Sequence, residues 1–303
     1  MEQALIGLSN ELSELVYTVG PRIVNIRARR NYPSSGVIWD SGVVVTANHT
    51  IEREEEISIL LSDGTEVEAE LVGREPGSDL AVLRSQKIPA LEPPSQAKEI
   101  GVGELALVVG RSPDSGTNAS LGIISAKSGP WRTWRGGQLD AYIRLDARMF
   151  PQSSGGAVVN ARGQLVGIAT SALSRIAGVA IPASSISAVT QKLLQRGFVP
   201  RGYLGIAVQP VPLPEAFRET LQTTNEGGLI VLTVESDGPA DQAGILQGDI
   251  VTGINDDAVG QIDDLQRFSD SNVIGTKVRV ILVRGGEVKT LDLIVGERPR
   301  RRG

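Results

Sequence analysis

Residues 57–83 read ISILLSDGTEVEAELVGREPGSDLAVL. Three runs with strand character, 57–61, 66–72 and 80–83, are cut apart by Ser, Asp, Gly and Pro, and no helix-length stretch lies between them. The same texture extends in both directions. Upstream, residues 43–45 are Val-Val-Val. In 23–29, Val24, Ile26 and Ala28 alternate with Asn25, Arg27 and Arg29, which predicts a half-buried strand. Downstream, short runs recur at 105–109, 122–126, 141–145, 157–159, 165–169 and 178–181. Many short strands without intervening helices predict a mostly β barrel or sandwich.

Two helices frame this region. Leu5, Leu8, Leu12, Leu15, Val16 and Val19 recur at helical spacing and stop at Gly20-Pro21, predicting an amphipathic helix over 1–20. Residues 184–196 place Ile186, Val189 and Leu193 on one face, with a serine available as N-cap and Gly197 as stop. That helix ends a first domain, 21–197. A linker follows at 198–201, then a second domain at 202–297 with strands at 203–208, 228–234, 250–254, 277–283 and 287–295, and a basic tail at 298–303. The chain of 303 residues is long enough for two cores.

Composition narrows the chemistry. With 30 basic and 35 acidic residues the net charge is -5, which points away from nucleic acid and anionic membranes as partners. No cysteine means no disulfide, no thiol nucleophile and no Cys-ligated zinc; the single histidine, His49, excludes multi-His metal sites. No apolar run approaches the roughly 20 residues of a membrane span. The opening Met1-Glu2-Gln3, with Glu11 and Glu14 soon after, shows no signal peptide. As written the chain reads as cytoplasmic. The glycines of 101–106 precede a strand, not a helix, so they are no dinucleotide fingerprint. Asp256-Asp257 and Asp263-Asp264 lack the spacing of a calcium loop.

Three residues draw attention. His49 follows the strand at 43–46 and taken alone is equally a core residue. Asp79 heads an apolar strand after Glu75-Pro76-Gly77-Ser78, where a turn or cap carboxylate is the simpler reading. Pro151-Gln152-Ser153-Ser154-Gly155-Gly156-Ala157 puts a serine on a turn made tight by glycine. Ser34-Ser35-Gly36 shows the same letters without such a setting and reads as ordinary loop. Together the three say more. A serine attacks near neutral pH only if an imidazole takes its proton, and the imidazole needs a carboxylate to fix its tautomer. The order His, Asp, Ser is that of the double β-barrel proteases.

The chain resembles bacterial HtrA/DegP-type serine proteases of the trypsin-like superfamily with one C-terminal PDZ domain. The resemblance is carried by residues 44–49, 61–65, 78–83, 121–126, 146–147, 154–156, 163–168, 179–182 and 203–206, in the family's order, from residue 9 to 296. It implies a trypsin-like double β-barrel, with His49 as general base, Asp79 as its orienting carboxylate and Ser154 as nucleophile. Gln152, Ser153 and Ser154 would furnish the oxyanion hole. It further implies cleavage of unfolded or misfolded polypeptide without cofactor or metal, a homotrimer to which the helix at 2–18 and Tyr17 contribute, and a periplasmic setting if a leader was removed. In the second domain, Tyr203, Leu204, Gly205 and Ile206 resemble the loop that holds a peptide C-terminal carboxylate, with Leu265 and Phe268 on the opposite groove wall. The same residues read equally as the core of a small domain. Segments 169–173 and 174–179, free of acid, predict a pocket for small aliphatic side chains.

One departure bears on activity. The family's glycine two positions before the nucleophile is Gln152 here. A residue with a Cβ resists positive φ, so the peptide entering Gln152 is expected to turn its N–H away from the substrate oxygen at rest. Either the protein is a latent protease, or it is a catalytically weak or inactive protease-like scaffold that binds peptides through the PDZ domain.

Overall fold

The apolar spacing of the opening segment forms a helix, α1 (Glu2–Val19). Leu12, Leu15, Val16 and Val19 pack on a buried core, while Leu5 and Leu8 are 63% and 43% exposed. Only the second half of the predicted face packs within this chain, and it is partly buried there. The computed structural model describes residues 2–30, 32–213, 215, 218–219 and 226–299. It divides into two units, Met1–Val199 and Pro200–Gly303. Of the predicted basic tail, residues 300–303 lie outside the described residues.

In the first unit β1 (Ile23–Arg27), β2 (Ser34–Asp40), β3 (Val43–Ala47), β4 (Ile57–Leu60), β5 (Glu66–Glu75) and β6 (Leu80–Arg84) close into a barrel in the order β1-β2-β3-β6-β5-β4. The next strands are β7 (Leu105–Ser112), β8 (Gly116–Ser128), β9 (Trp131–Arg132), β10 (Gln138–Leu139), β11 (Tyr142–Asp146), β12 (Ala157–Asn160), β13 (Leu165–Thr170) and β14 (Gly178–Pro182). Of these, β9 and β10 form a separate hairpin, and the others close a second barrel in the order β11-β14-β13-β12-β7-β8. Val24, Ile26, Ile38, Ile59 and Leu83 fill the first barrel; Val108, Ile124, Ile143 and Val158 fill the second. Ile23, Val37, Val45, Leu107 and Ile168, on the outer faces, join a third core with Ile186 and Leu193 of α2 (Ala183–Arg196).

That third core corrects two expectations. Ile23, Val24, Asn25 and Ile26 are all fully buried, so β1 is not half-buried: one side faces its barrel and the other faces the second layer. Ser34-Ser35-Gly36 is not loop but the start of β2, and all three residues are buried. Small residues are required there. A Cβ on Gly36 would meet Ile26 Cδ1 at 2.6 Å and Val44 Cγ1 at 2.7 Å. Two backbone carbonyls of this stretch are hydrogen-bonded by side chains, Thr46 Oγ1 donating to Ser35 O at 2.7 Å and Asn25 Nδ2 to Ser34 O at 3.2 Å.

Helix α2 ends as predicted: Gly197 takes φ 75° and its N–H reaches Leu193 O at 2.8 Å. Its start differs. Pro182 is the N-cap and no side chain caps the helix, the serines lying inside the first turn.

The second unit holds β15 (Gly202–Tyr203), β16 (Ile206–Pro212), β17 (Gly227–Val234), α3 (Pro239–Gln242), β18 (Ile250–Ile254), β19 (Asp257–Ala258), α4 (Ile262–Leu265), β20 (Lys277–Arg284), β21 (Glu287–Ile294) and β22 (Gly296–Glu297). The sheet runs β16-β17-β18-β20-β21, leaving β16 at one edge; β19 adds to β18, and β15 pairs with β22. Leu229, Val231, Val251, Val280 and Leu282 form its core. Asp249, 1% exposed, accepts both arms of the Arg284 guanidinium at 2.7 Å and the Leu246 N–H at 2.8 Å. Burial alone would raise this carboxyl, but these donors hold it below the ordinary carboxylate range.

Candidate active site

The turn before β6 delivers Asp79 with φ 57°, a left-handed conformation that Asp tolerates better than most residues. Its carboxylate is fully buried and accepts three hydrogen bonds. Oδ1 receives the His49 backbone N–H at 2.8 Å, and Oδ2 receives His49 Nδ1 at 2.8 Å and Thr170 Oγ1 at 2.5 Å. His49 sits in the 3₁₀ turn Asn48–Thr50 that follows β3, and Asn48 N–H bonds Asp79 O at 2.9 Å. The carboxylate therefore fixes both backbone and ring of His49. With Nδ1 carrying the proton toward Asp79, Nε2 is the nitrogen left to take one from a nucleophile.

Ser154 lies on the turn before β12, on the second barrel. It is 2% exposed and is locked by its neighbours. Ser35 N–H donates to Ser154 O at 3.1 Å. Gly155 takes φ 86°, and a Cβ there would overlap Ser35 O and Thr46 Oγ1, so only glycine lets this turn approach the first barrel so closely. The serine hydroxyl pairs with Ser171 Oγ at 3.3 Å. Among the described residues no hydrogen bond joins Ser154 to His49, a looseness common in ligand-free active sites.

The residues before Ser154 form a 3₁₀ turn, Pro151–Ser153, closed by Ser153 N–H to Phe150 O at 2.9 Å. That bond commits the Ser153 N–H, leaving the backbone donors of Gln152 and Ser154 for an oxyanion. Neither has an acceptor among the described residues. Gln152 is not among the residues with positive φ. A turn of this closure has two forms that differ by rotation of its central peptide, and only the form with positive φ at the third residue turns the other way. Here the central peptide, Pro151–Gln152, has its carbonyl bonded by Arg29 Nη2 at 3.2 Å, and the Gln152 carbonyl takes Ser35 Oγ at 2.6 Å.

Sequence reasoning missed Ser35, Thr170 and Ser171. Thr170 is the first polar residue after an apolar strand, a usable signal. Ser35 carries none, because Ser-Ser-Gly reads as loop until its burial is known.

In the second unit, Gly205 takes φ 80°. Its carbonyl accepts from Glu235 N–H, and the Leu204 carbonyl from Ala240 N–H, both at 2.9 Å. The N–H groups of Leu204 and Gly205 have no acceptor among the described residues, and they adjoin the open edge of β16. Tyr203 donates to Glu235, and burial first, then that carboxylate, pushes its hydroxyl up to about 12. The residues expected on the opposite groove wall fall on two elements, Leu265 at the end of α4 and Phe268 in the 3₁₀ turn Gln266–Ser269. Phe268 is buried in the core and only 6% exposed, whereas Leu265 is partly buried against it. Of the two, Leu265 is the one with surface to offer a groove.

The trypsin-like peptidase domain family matches residues 34–168, and the PDZ domain family matches 202–295. The serine endoprotease from Yersinia pestis superposes with a TM-score of 0.72 at 30% identity, covering 95% of this chain and 98% of that one. This chain belongs to the HtrA/DegP-type family of trypsin-like serine proteases with a PDZ domain. A second HtrA-type structure, the protease AlgW with a decapeptide, gives a TM-score of 0.72 at 28% identity over 95% and 99% of the two chains. Among curated proteins, the probable periplasmic serine endoprotease DegP-like of Rhizobium meliloti is 33% identical over 287 residues, 92% of this chain and 56% of that protein. Its counterpart in Pseudomonas putida is 30% identical over 286 residues, 92% and 58% of the two. The chain thus spans somewhat more than half the length of these curated relatives. Among the described residues no helix is long and apolar enough to cross a membrane, and no group of three metal-ligating side chains occurs.

Proposed function

We propose that this chain is a serine endopeptidase that cleaves unfolded polypeptide through an acyl-enzyme, using Ser154, His49 and Asp79. The observation that carries the reading is the buried Asp79 carboxylate, which holds His49 by two hydrogen bonds. A structural carboxylate could be satisfied by backbone N–H groups alone; engagement of the ring nitrogen as well sets a tautomer, which matters to a base. Ser154 attacks the carbonyl, its proton passes to His49 Nε2, and the N–H groups of Gln152 and Ser154 receive the oxyanion once the turn is productive. The proton on Nε2 then goes to the leaving amine, and water reverses the sequence. Small aliphatic residues suit the position before the scissile bond, since residues 169–179 carry no acidic side chain to attract Lys or Arg. A fluorophosphonate should label the chain at Ser154, and the label should vanish in His49→Ala; labelling of another residue, or of none, removes the reading.

The second unit binds peptide C-termini in this proposal. The free N–H groups of Leu204 and Gly205 meet the carboxylate, and the edge strand β16 accepts an added strand beside Leu265. In a Ser154→Ala protein, a peptide acid ending in an apolar residue should bind at least tenfold more tightly than its amide, because the amide brings no charge to those donors. Equal affinities by fluorescence anisotropy would rule out carboxylate capture. A homotrimer working outside the cytoplasm completes the proposal; the curated relatives are named as probable periplasmic enzymes. Leu5, Ile6 and Tyr17 of α1 are 63%, 53% and 83% exposed and suit an interface; a monomeric mass in sedimentation would exclude it.

A further inference from the structure

Beyond Thr170, the last residue of β13 paired with β14, the chain leaves the ladder and passes the nucleophile, Ser171 Oγ standing 3.3 Å from Ser154 Oγ. A polypeptide extended across Ser154 has room to run along this segment, where the backbone of Ala172 offers one donor and one acceptor. Yet both polar groups of Ala172 are engaged. Its N–H donates to Thr170 Oγ1 at 3.0 Å, and its carbonyl accepts the indole N–H of Trp134 at 3.3 Å.

Trp134 is 68% exposed, so burial does not explain where its ring lies. The hairpin of β9 and β10 does. Thr133 Oγ1 donates to Gly77 O at 2.6 Å and accepts Gly137 N–H at 3.1 Å, and a Cβ on Gly137 would strike the Gly77–Ser78 backbone. The base of the loop is therefore clamped to the turn that delivers Asp79. Arg135 lies over the indole, its guanidinium carbon 4.7 Å from the ring centroid. A large, exposed aromatic side chain is thus held with its one donor on the Ala172 carbonyl.

We propose that Trp134 is an internal competitor for substrate: its indole N–H stands in for a substrate backbone N–H on the Ala172 carbonyl and must be displaced when a peptide binds. This rests on the peptidase reading. The competition is met on binding and persists through the transition state, so it belongs in KM and not in kcat. It also depends on substrate length. A peptide with four residues before the scissile bond reaches Ala172, whereas a single-residue ester and a small fluorophosphonate react at Ser154 without touching it.

The test compares the full chain with Trp134→Phe, which keeps an aromatic ring and removes the donor, and with Trp134→Ala, which removes both. Loss of one neutral hydrogen bond predicts that Trp134→Phe lowers KM for the four-residue substrate about fivefold, with kcat, the ester and the fluorophosphonate rate unchanged. Trp134→Ala should lower KM at least as far. An unchanged or higher KM in Trp134→Phe overturns the inference while an undiminished fluorophosphonate rate leaves the peptidase reading standing. Equal gains for the ester and the long substrate also overturn it, since they would mark a general effect on the serine. If none of the proteins reacts with the fluorophosphonate, the peptidase reading falls and takes this inference with it.

Discussion

An Asp79→Asn protein is expected to fold normally and to lose about ten-thousandfold in kcat, the size of effect such an exchange has in a Ser-His-Asp triad. The backbone gives no obstacle: at φ 57° Asn is tolerated as well as Asp. The side chain is isosteric but cannot accept on both arms. Placing its oxygen where Oδ2 now stands leaves the NH₂ facing the His49 backbone N–H, donor against donor. Placing the oxygen at Oδ1 turns the NH₂ toward His49 Nδ1 and Thr170 Oγ1, and the imidazole must then carry its proton on Nε2. A ring protonated on Nε2 has no lone pair for the Ser154 proton. Casein or peptide hydrolysis measures the loss, and circular dichroism establishes that the fold is retained. Ser154→Ala should fall to the same background, and a double variant should be no worse than the poorer single one, because the three residues act as a unit. Undiminished cleavage by either variant would dissolve the assignment.

What the sequence made legible follows from how far each residue's role is local. The glycines and polar breaks around 57–83 betray strands because a turn needs particular residues. His49, Asp79 and Ser154 are recognisable because the proposed chemistry demands those three side chains. Ser35 was illegible because its role is set by a partner strand and a distant turn: one hydroxyl donates to Gln152 O and accepts the Arg111 N–H at 2.9 Å, and nothing near residue 35 announces it. The full burial of Asn25, likewise, comes from the second layer packed outside β1, which alternation within one strand cannot reveal. Leu265 and Phe268 were expected on one groove wall, but Phe268, in the 3₁₀ turn Gln266–Ser269, is buried in the core. The hairpin carrying Trp134 is too short for periodicity to register.

A Gln152→Gly protein should hydrolyse peptides about tenfold to a hundredfold faster than the parent. In the resting turn Gln152 does not take positive φ, and the Pro151–Gln152 carbonyl is tied to Arg29. Rotating that peptide to bring the Gln152 N–H onto an oxyanion requires the positive φ that a side chain resists, at about 1–3 kcal/mol. Glycine removes that penalty. The gain is bounded above by the value of one oxyanion donor, about a hundredfold to a thousandfold in turnover. It should appear in kcat, because the donor acts where charge develops and not on the ground-state carbonyl. Two controls isolate the turn. Fluorophosphonate labelling, whose adduct also places an oxygen in the hole, should accelerate in parallel. Any activation of the parent by a PDZ-binding peptide should shrink in the glycine protein, since a ligand can raise activity only by favouring a conformation that glycine already reaches. A Gln152→Gly protein no faster than the parent, with both folded, would mean that Gln152 enters the productive form without strain, and the latent turn would then have to be held by the Arg29 and Ser35 hydrogen bonds alone.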